Sequence, residues 1–145
     1  MIEITPAILP ESYRELVDKL DIAAGHARAV QVDICDGGYV PSRTWPYLKG
    51  PNAEDMIFEE IKSQEQALPH WDIVDFEFDL MVRDAHAKIP DFIAVGASRI
   101  VVHQASMMRA SSRASCATTA DSLTIWAPLT SSWASPFCRP TTPKP

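Results

Sequence analysis

Four polar side chains of this 145-residue chain stand where chemistry could take place. Asp33 and Asp36 lie at the end of one apolar segment, Asp79 lies inside another, and His103 closes a third. Carboxylates and imidazoles transfer protons near neutral pH, and carboxylate oxygens bind hard cations. These residue types are therefore candidates for an acid/base site or a metal site.

Asp33 and Asp36 also have a structural explanation. Either carboxylate could cap a turn at the end of its segment, because a short acidic side chain accepts hydrogen bonds from nearby backbone N–H groups. For Asp36 this explanation is favoured over chemistry, since Gly37 and Gly38 follow it directly.

Asp79 and His103 have structural alternatives as well. Asp79 alternates with Asp75 and Glu77, so the three could form a solvated stripe on one face of a strand. A buried lone carboxylate is costly, so a position inside a barrel would instead favour a functional role for Asp79. His103 could contact a substrate or could be a satisfied histidine at a strand end.

The elements that must position these residues alternate along the chain. Ser12 and Glu15 form a capping-box pattern at the start of one helix, and Gly96 ends another. The patterns predict strands at about 2–9, 29–34, 75–82 and 99–103, and helices at about 13–24, 52–66 and 85–95. Strands that alternate with helices pair in parallel, so the fold class is α/β.

Two α/β architectures compete, an open doubly wound sheet and part of a (β/α)₈ barrel. No G-x-G-x-x-G or G-x-x-x-x-G-K-[ST] motif follows the first strand, which removes the usual reason to choose a nucleotide-binding sheet. In a barrel the chemistry lies at the carboxyl ends of the strands, where the polar residues gather here. We therefore expect a partial barrel of about four βα units.

Composition changes near residue 106. Residues 1–106 contain nine Lys+Arg and eighteen Asp+Glu, whereas residues 107–145 contain four and one, together with thirteen Ser+Thr, five Pro and no glycine. We expect one domain over 1–106 and an irregular tail over 107–145. The tail could be a natural linker or the product of a shifted reading frame, and apolar clusters such as Leu123-Thr-Ile-Trp126 favour the latter.

Charge and apolar content exclude some classes of partner. A net charge of −6 gives no basic surface for nucleic acid or anionic lipid, and no segment is apolar enough to span a bilayer. We expect a cytoplasmic protein with neither nucleic-acid nor membrane partners. Its cysteines, Cys35, Cys116 and Cys138, lack the number and spacing of a disulfide framework or a thiolate metal site.

Four motifs carry a resemblance to a known family. They are Ile4-Thr-Pro-Ala-Ile-Leu9, Val32-Asp-Ile-Cys-Asp-Gly-Gly-Tyr-Val-Pro41, Asp79-Leu-Met-Val82 and Val95-Gly-Ala-Ser-Arg-Ile-Val-Val-His103. In order and spacing they resemble the first half of ribulose-phosphate 3-epimerases, which are (β/α)₈ TIM barrels of carbohydrate metabolism in the pentose phosphate pathway. The second motif is the most specific, because it fixes two carboxylates, a glycine turn and a proline in one loop.

The resemblance implies an isomerase that interconverts D-ribulose 5-phosphate and D-xylulose 5-phosphate. One base removes the proton beside the ketone, and an acid on the opposite face returns one. In this family a divalent cation, held by two His and two Asp, stabilises the intermediate. The two Asp also serve as the acid/base pair. Asp33 falls on the position of the first catalytic Asp.

Two of the family's metal ligands are replaced here. Gln31 and Asp79 stand where the family has histidines, so the resemblance implies a ligand set of Gln31, Asp33 and Asp79. Among Mg²⁺, Mn²⁺, Fe²⁺ and Zn²⁺, such oxygen ligands suit Mg²⁺ or Mn²⁺ best. Loss of metal binding is the alternative.

The resemblance also implies residues that contact the substrate. Ala7 replaces an early Ser of the family, Met81 keeps the place of a Met that lines the pocket, and Cys35 replaces another. We expect Ala7, Met81 and His103 to line the sugar-phosphate site.

The second half of the family pattern is not found in the sequence, including the second catalytic Asp and the glycine-rich phosphate loops after strands six to eight. We therefore expect a truncated chain that is inactive alone. Two alternatives are a non-catalytic half-barrel that self-associates or serves as a binding module, and a barrel acting on another sugar phosphate. A decarboxylase is disfavoured, because Asp33-Ile-Cys-Asp36 has no lysine between its carboxylates.

Overall fold

One sheet runs through the protein, with its strands in chain order. The computed structural model describes residues 4–49, 54–107 and 122–126. The strands are β1 (Ala7–Ile8), β2 (Ala29–Cys35), β3 (Asp75–Met81), β4 (Ala97–His103) and β5 (Ser122–Trp126), and the helices are α1 (Tyr13–Ala23), α2 (Met56–Lys62), α3 (Ala85–Val95) and α4 (Gln104–Met107). Strands β1 to β4 are parallel. Four parallel strands that alternate with helices confirm the predicted α/β class and are consistent with part of a TIM barrel.

Helix α1 follows its sequence pattern closely. The Ser12 hydroxyl accepts a hydrogen bond from the Glu15 N–H at 3.1 Å, which satisfies one free donor of the first turn. The Glu15 carboxylate accepts in turn from the Glu11 N–H, one residue before the expected partner of a capping box. Leu16 and Leu20 are fully buried, so the apolar face of the helix packs on the sheet.

Helix α2 is shorter than its pattern predicted. The expected helix ran over 52–66 with Asn52 as its cap, but Asn52 lies outside the described residues and the helix begins at Met56. Asp55 is its N-cap, because its carboxylate accepts from the Ile57 N–H at 2.9 Å. The helix ends at Lys62, and Gln64 adopts a left-handed φ of 66° that an α-helix cannot continue through.

Strand β1 is also shorter than predicted. Apolar residues favoured a strand over 2–9, of which residues 2 and 3 lie outside the described residues, and only Ala7–Ile8 pair with β2. Pro6 and Pro10 flank this pair and have no N–H to donate, so the ladder cannot extend far in either direction.

The turn from α3 to β4 is abrupt. Gly96 caps α3 with a φ of 104°, a left-handed conformation that glycine adopts without steric cost, and β4 begins at the next residue rather than at Arg99. Pro90 lies inside α3 without ending it. The predicted helix over 85–95 is confirmed.

The hydrophobic core lies between the sheet and the helices. Alternate residues of the central strands supply it: Val30, Val32, Ile34, Phe76, Phe78, Leu80, Ile100 and Val102 are buried. Trp45 and Tyr47, from the segment after β2, are fully buried in the same cluster. Because side chains alternate along a strand, the residues between these positions lie on the other face of the sheet.

Glu54 connects three elements on the helical side. Its carboxylate accepts a hydrogen bond from the Tyr47 hydroxyl at 3.2 Å and contacts the ammonium groups of Lys88 at 2.5 Å and Lys62 at 3.4 Å. Burial alone raises the pKa of Glu54, but the hydrogen bond from Lys88 and the charges of the two lysines outweigh it and hold the pKa at about 2. This carboxylate joins the segment before α2 to α2 and α3.

Part of the segment predicted to be irregular forms a strand. β5 (Ser122–Trp126) pairs antiparallel with β4, with Ile100 opposite Ile125 and Val102 opposite Leu123. β5 contains Leu123-Thr-Ile-Trp126, the apolar cluster that is unusual for a linker. The remainder of the predicted tail, 108–121 and 127–145, lies outside the described residues.

The helices are short. The longest helices in the described ranges, α1 and α3, have 11 residues each. Over the described residues, no helix combines the length and the apolar character that crossing a membrane requires. A cytoplasmic location stays a prediction.

Candidate active site

Asp33 and Asp79 lie side by side on neighbouring parallel strands. The pairing of β2 with β3 places Asp33 opposite Asp79, and adjacent strands are about 4.8 Å apart. Both residues are half-buried, and the Asp79 side chain is only 15% exposed. The sheet thus presents two neighbouring carboxylates on the face turned away from the helices.

Gln31 orients Asp33. It lies two residues earlier on the same face of β2, and its amide Nε2 donates a hydrogen bond to Asp33 Oδ1 at 2.9 Å. A hydrogen bond to a carboxylate stabilises its charged form. Gln31, which stands where the resemblance implied a histidine, therefore holds the Asp33 carboxylate in place.

His103 pairs with Asp79. The ring nitrogen Nε2 of His103 lies 3.1 Å from Asp79 Oδ1, and its side chain is 21% exposed. The ring of Tyr39 lies 5.5 Å from the His103 ring, measured between centroids. The imidazole therefore bridges the carboxylate pair and the loop that follows β2.

The electrostatics of the site are set by burial and like charge. Burial raises the pKa of Asp79 most, the His103 imidazole opposes that rise, and the negative charge of Asp33 adds to it. Burial, and after it the negative charge of Asp33, raise the pKa of the Cys35 thiol to about 11. The site therefore disfavours additional negative charge.

The acidic face of β3 is not the solvated stripe that its alternation allowed. Asp75, Glu77 and Asp79 do share one face, but Glu77 is 7% exposed and its carboxylate lies 2.5 Å from the guanidinium of Arg99 on β4. Each inner carboxylate of this face has a cationic or ionisable partner on β4, because His103 contacts Asp79 in the same way. The face is a paired, partly buried polar surface.

Thr44 fixes the backbone beside Asp33, a role that the sequence did not reveal. Its hydroxyl donates to the Asp33 carbonyl at 2.8 Å and accepts from the Cys35 N–H at 2.8 Å, and it is buried. A threonine in a turn-rich segment carries no sequence signal for such a contact, because the partner lies 11 residues away.

Asp36 organises the loop after β2. Its Oδ1 accepts from the Gly38 N–H at 2.7 Å and the Tyr39 N–H at 3.1 Å, and its Oδ2 accepts from the Arg83 N–H at 2.9 Å. The prediction that Asp36 stabilises the Gly37-Gly38 turn is confirmed. The third bond ties this loop to the end of β3.

A small cavity of about 130 Å³ opens at the carboxyl ends of the strands. Gly38, Tyr39, Arg83 and Ala105 line it. These residues come from the segments that follow β2, β3 and β4, the end at which barrel enzymes carry their chemistry. Arg83 had no predicted role, although a charged residue directly after Asp79-Leu-Met-Val82 was a usable signal.

The predicted substrate contacts divide between two levels of the sheet. Ala7 pairs with Gln31. Met81 pairs with Cys35, two residues beyond the Asp33–Asp79 pair toward the carboxyl ends of the strands. Met81 and His103 therefore lie on the cavity side of the acid pair, and Ala7 lies on the other side. Their roles as substrate contacts stay predictions.

The donor set does not fit a divalent metal ion of the kind that the resemblance implied. Across the described segments, no three His, Cys, Asp or Glu side chains are grouped around one point. Asp33 Oδ1 accepts from the Gln31 amide and Asp79 Oδ1 contacts His103. Two carboxylates and an amide are a weak ligand set. The assignment of Gln31, Asp33 and Asp79 as metal ligands stays a prediction.

Comparison with known proteins gives one match. The sequence profile of the ribulose-phosphate 3 epimerase family matches residues 3–119, which include every motif and site residue described above. Neither a curated protein nor a solved structure gives a match.

Proposed function

Because this chain belongs to the ribulose-phosphate 3-epimerase family, we propose that its site takes part in proton transfer at the carbon beside the ketone of a ketopentose phosphate. The reaction is the interconversion of D-ribulose 5-phosphate and D-xylulose 5-phosphate. The observation that carries the proposal is the opposition of Asp33 and Asp79 in the sheet, with His103 on the second carboxylate. Ionisable groups that adjust one another's protonation are typical of acid/base sites.

Asp33 is the base in this proposal. Gln31 holds one oxygen of its carboxylate, which leaves the other oxygen for the substrate proton. Transfer of that proton to Asp33 converts the ketose into an ene-diolate, and return of a proton to the opposite face of the carbon gives the epimer. Asp33 becomes neutral in this step, which relieves its repulsion with Asp79.

Asp79 and His103 act together to stabilise the negative charge that develops on the substrate. The imidazole can donate a hydrogen bond toward the ene-diolate oxygens while its contact with Asp79 holds the ring in position. Because β-strand residues on one face point the same way, these groups act from one side of the substrate. The proton on the opposite side must come from a group outside this face of the sheet.

The experiment is a turnover assay in D₂O with the full chain. D-ribulose 5-phosphate is the substrate, and NMR follows both the appearance of D-xylulose 5-phosphate and the incorporation of deuterium at C3. We expect Asp33→Asn to reduce deuterium incorporation by about 100-fold or more, the contribution of a positioned base. Asp18→Asn, on the exposed side of α1, is the matched control and should have no effect.

The assay separates the two half-reactions. Deuterium exchange without xylulose 5-phosphate supports a base acting without its opposite-face acid, whereas the absence of both in the wild-type chain contradicts the proposal. Other ketose phosphates, assayed in parallel, test whether the barrel acts on another sugar phosphate.

A self-associating half-barrel or binding module is the second candidate function. The β1 edge favours it, since β1 pairs only with β2 in the described part of the sheet, and the neighbouring Ile4 and Leu9 are 75% and 48% exposed. A stable dimer in sedimentation velocity, together with no deuterium exchange, supports this function. A monomer that exchanges deuterium excludes it.

A further inference from the structure

The ladder between β1 and β2 ends just before Asp33. β1 pairs with β2 only as far as Val32. The N–H of Gln31 donates to the Pro6 carbonyl at 2.9 Å, so the odd-numbered residues of β2 direct their backbone groups toward β1. If this ladder continued, the N–H of residue 10 would donate to the Asp33 carbonyl. Residue 10 is a proline and has no N–H, so β1 cannot satisfy that carbonyl.

Thr44 supplies the missing donor. Its hydroxyl donates to the Asp33 carbonyl at 2.8 Å and accepts from the Cys35 N–H at 2.8 Å, and its own N–H donates to the Cys35 carbonyl at 3.0 Å. The next residue, Trp45, donates its N–H to the Pro10 carbonyl at 2.9 Å. Thr44 and Trp45 thus bond to both strands where the strands cease to pair with each other, and they take the place of the ladder.

Trp45 anchors this segment in the hydrophobic core. Its side chain is fully buried, and its ring lies 5.5 Å from the rings of Tyr13 and Phe58, measured between centroids. Tyr13 begins α1, and Phe58 belongs to α2. Closely packed side chains resist displacement. The core therefore sets the position of the Thr44 hydroxyl, although the residues that precede it, 41–43, are exposed.

The contact with Thr44 constrains the Asp33 carboxylate through the backbone. The carbonyl carbon of Asp33 is bonded to the Cα atom that carries the side chain, so a fixed carbonyl also fixes the direction in which the side chain leaves the strand. Gln31 then holds Oδ1 of the carboxylate at 2.9 Å from its amide nitrogen. Thr44 and Gln31 together fix the backbone and the side chain of a residue that lies opposite Asp79.

We propose that Thr44 is a positioning residue of the acid/base site, which takes the place of β1 beside Asp33 and holds this carboxylate opposite Asp79. The inference rests on the proposed function and deepens it, since it names a residue that acts through the base without touching the substrate. Thr44 is 3% exposed, so loss of its hydroxyl leaves the Asp33 carbonyl and the Cys35 N–H without partners in a buried place. The end of β2 must shift to satisfy them, and a small displacement of a base slows proton transfer.

The test compares three variants with the wild type in the full chain. Thr44→Val and Thr44→Ala remove the hydroxyl, whereas Thr44→Ser keeps it. The first readout is the side-chain amide resonance of Gln31 in ¹H–¹⁵N NMR, because the hydrogen bond of this amide reports the position of the Asp33 carboxylate. We expect the resonance to move toward its position in Asp33→Ala when the hydroxyl is removed, and to stay at its wild-type position in Thr44→Ser.

The second readout is deuterium incorporation into D-ribulose 5-phosphate. In Thr44→Val, kcat should fall about tenfold or more with little change in KM, because a displaced base weakens the transition state rather than substrate binding. Thr44→Ser should recover most of this loss. Thr44→Ala places no methyl group against the two backbone groups, so it carries the test if Thr44→Val does not fold.

Ser98→Ala is the matched control. The Ser98 hydroxyl also donates to a carbonyl of the sheet, that of Phe76 at 2.7 Å, but it does so at the amino end of β4. Its loss should lower thermal stability and leave both readouts at their wild-type values. Circular dichroism of each variant verifies that the fold is retained.

The outcomes decide the proposal separately from the proposed reaction. A shifted Gln31 resonance in the variants that lack the hydroxyl, with recovery in Thr44→Ser and no shift in Ser98→Ala, supports the positioning role. An unchanged resonance in folded Thr44→Val or Thr44→Ala, an equal shift in Ser98→Ala, or an unchanged kcat in an active chain overturns it. A shifted resonance in a chain that exchanges no deuterium would keep the role of Thr44 in placing Asp33 and refute the proposed reaction.

Discussion

Asp33 and Asp79 stand opposite each other in the β2–β3 ladder, and each has one further polar partner, Gln31 for the first and His103 for the second. Two carboxylates at this separation raise the free energy of the doubly ionised state. The partners offset part of that cost, with an amide donor on one side and an ionisable ring on the other. The Asp33 charge therefore contributes to the raised pKa of Asp79.

Removal of the Asp33 charge should lower the pKa of Asp79. The negative charge of Asp33 is one of the causes that raise this pKa, so Asp33→Asn removes a repulsion and favours ionised Asp79. Carboxyl ¹³C NMR titration of the two proteins measures the change. Asp18→Asn on α1 is the control, and an Asp79 pKa that does not move in Asp33→Asn would show that the two charges do not interact.

The Cys35 thiol should react slowly. Burial and the Asp33 charge raise its pKa from 9.0 to about 11, so at pH 8 its thiolate fraction is about 100-fold below that of an ordinary cysteine. Mass spectrometry of iodoacetamide labelling, resolved by peptide, measures the rate at Cys35 against Cys116 and Cys138.

The same labelling tests the origin of the shift. Asp33→Asn should speed Cys35 labelling at pH 8, and Asp18→Asn should not. Because the folded pKa of Cys35 lies above the unfolded one, its contribution to stability is complete below about pH 9 and is lost as the pH rises through about 11. Faster labelling of Cys35 than of a free thiol at pH 8 would contradict the burial that raises the pKa.

Glu54→Gln should destabilise the fold by about 1–2 kcal/mol at pH 7, since it weakens charged hydrogen bonds in a site that solvent partly reaches. The folded pKa of about 2 lies below the ordinary glutamate value of 4.5. The contribution is therefore present above about pH 4.5 and is lost as the pH falls through about 2. Urea denaturation at pH 7 and at pH 3 measures the difference between Glu54→Gln and the wild type, which should shrink at the lower pH.

Glu59→Gln is the control for Glu54→Gln. Glu59 also contacts Lys62, at 2.8 Å, but its side chain is 52% exposed. An exposed ion pair contributes little, so this substitution should change the free energy of unfolding by less than about 0.5 kcal/mol. Equal effects of the two substitutions would argue against Glu54 as the residue that joins α2 and α3.

Asp36→Asn should destabilise the loop after β2. The substitution replaces an acceptor oxygen by an NH₂ group that faces a backbone N–H, so at least one of the three bonds to Gly38, Tyr39 and Arg83 is lost in a buried site. We expect a cost of about 2 kcal/mol in thermal or urea unfolding. Asp84→Asn at the exposed N-cap of α3 is the control and should lower the free energy of unfolding by less. An equal loss in the two variants would show that the three Asp36 hydrogen bonds do not stabilise the fold more than an exposed cap does.

Local patterns in the sequence determined much of the fold. The alternation of apolar residues located β2, β3 and β4, the Ser12 and Glu15 pair located the start of α1, and Gly96 located the end of α3. These features depend on neighbours within a few residues, so a linear pattern carries them. The spacing of the family motifs also placed Asp33 and Asp79 on adjacent strands.

Tertiary structure decided how these residues are used. The contact between His103 and Asp79, the bond from Thr44 to Asp33 and the position of Arg83 against Gly38 each join segments that are distant in the chain. No local pattern encodes such contacts, because they depend on strand register and on the path of the loops between strands. The sequence by itself therefore determined the family, the α/β class and the acidic pair, and only the folded chain decided which side chains contact that pair.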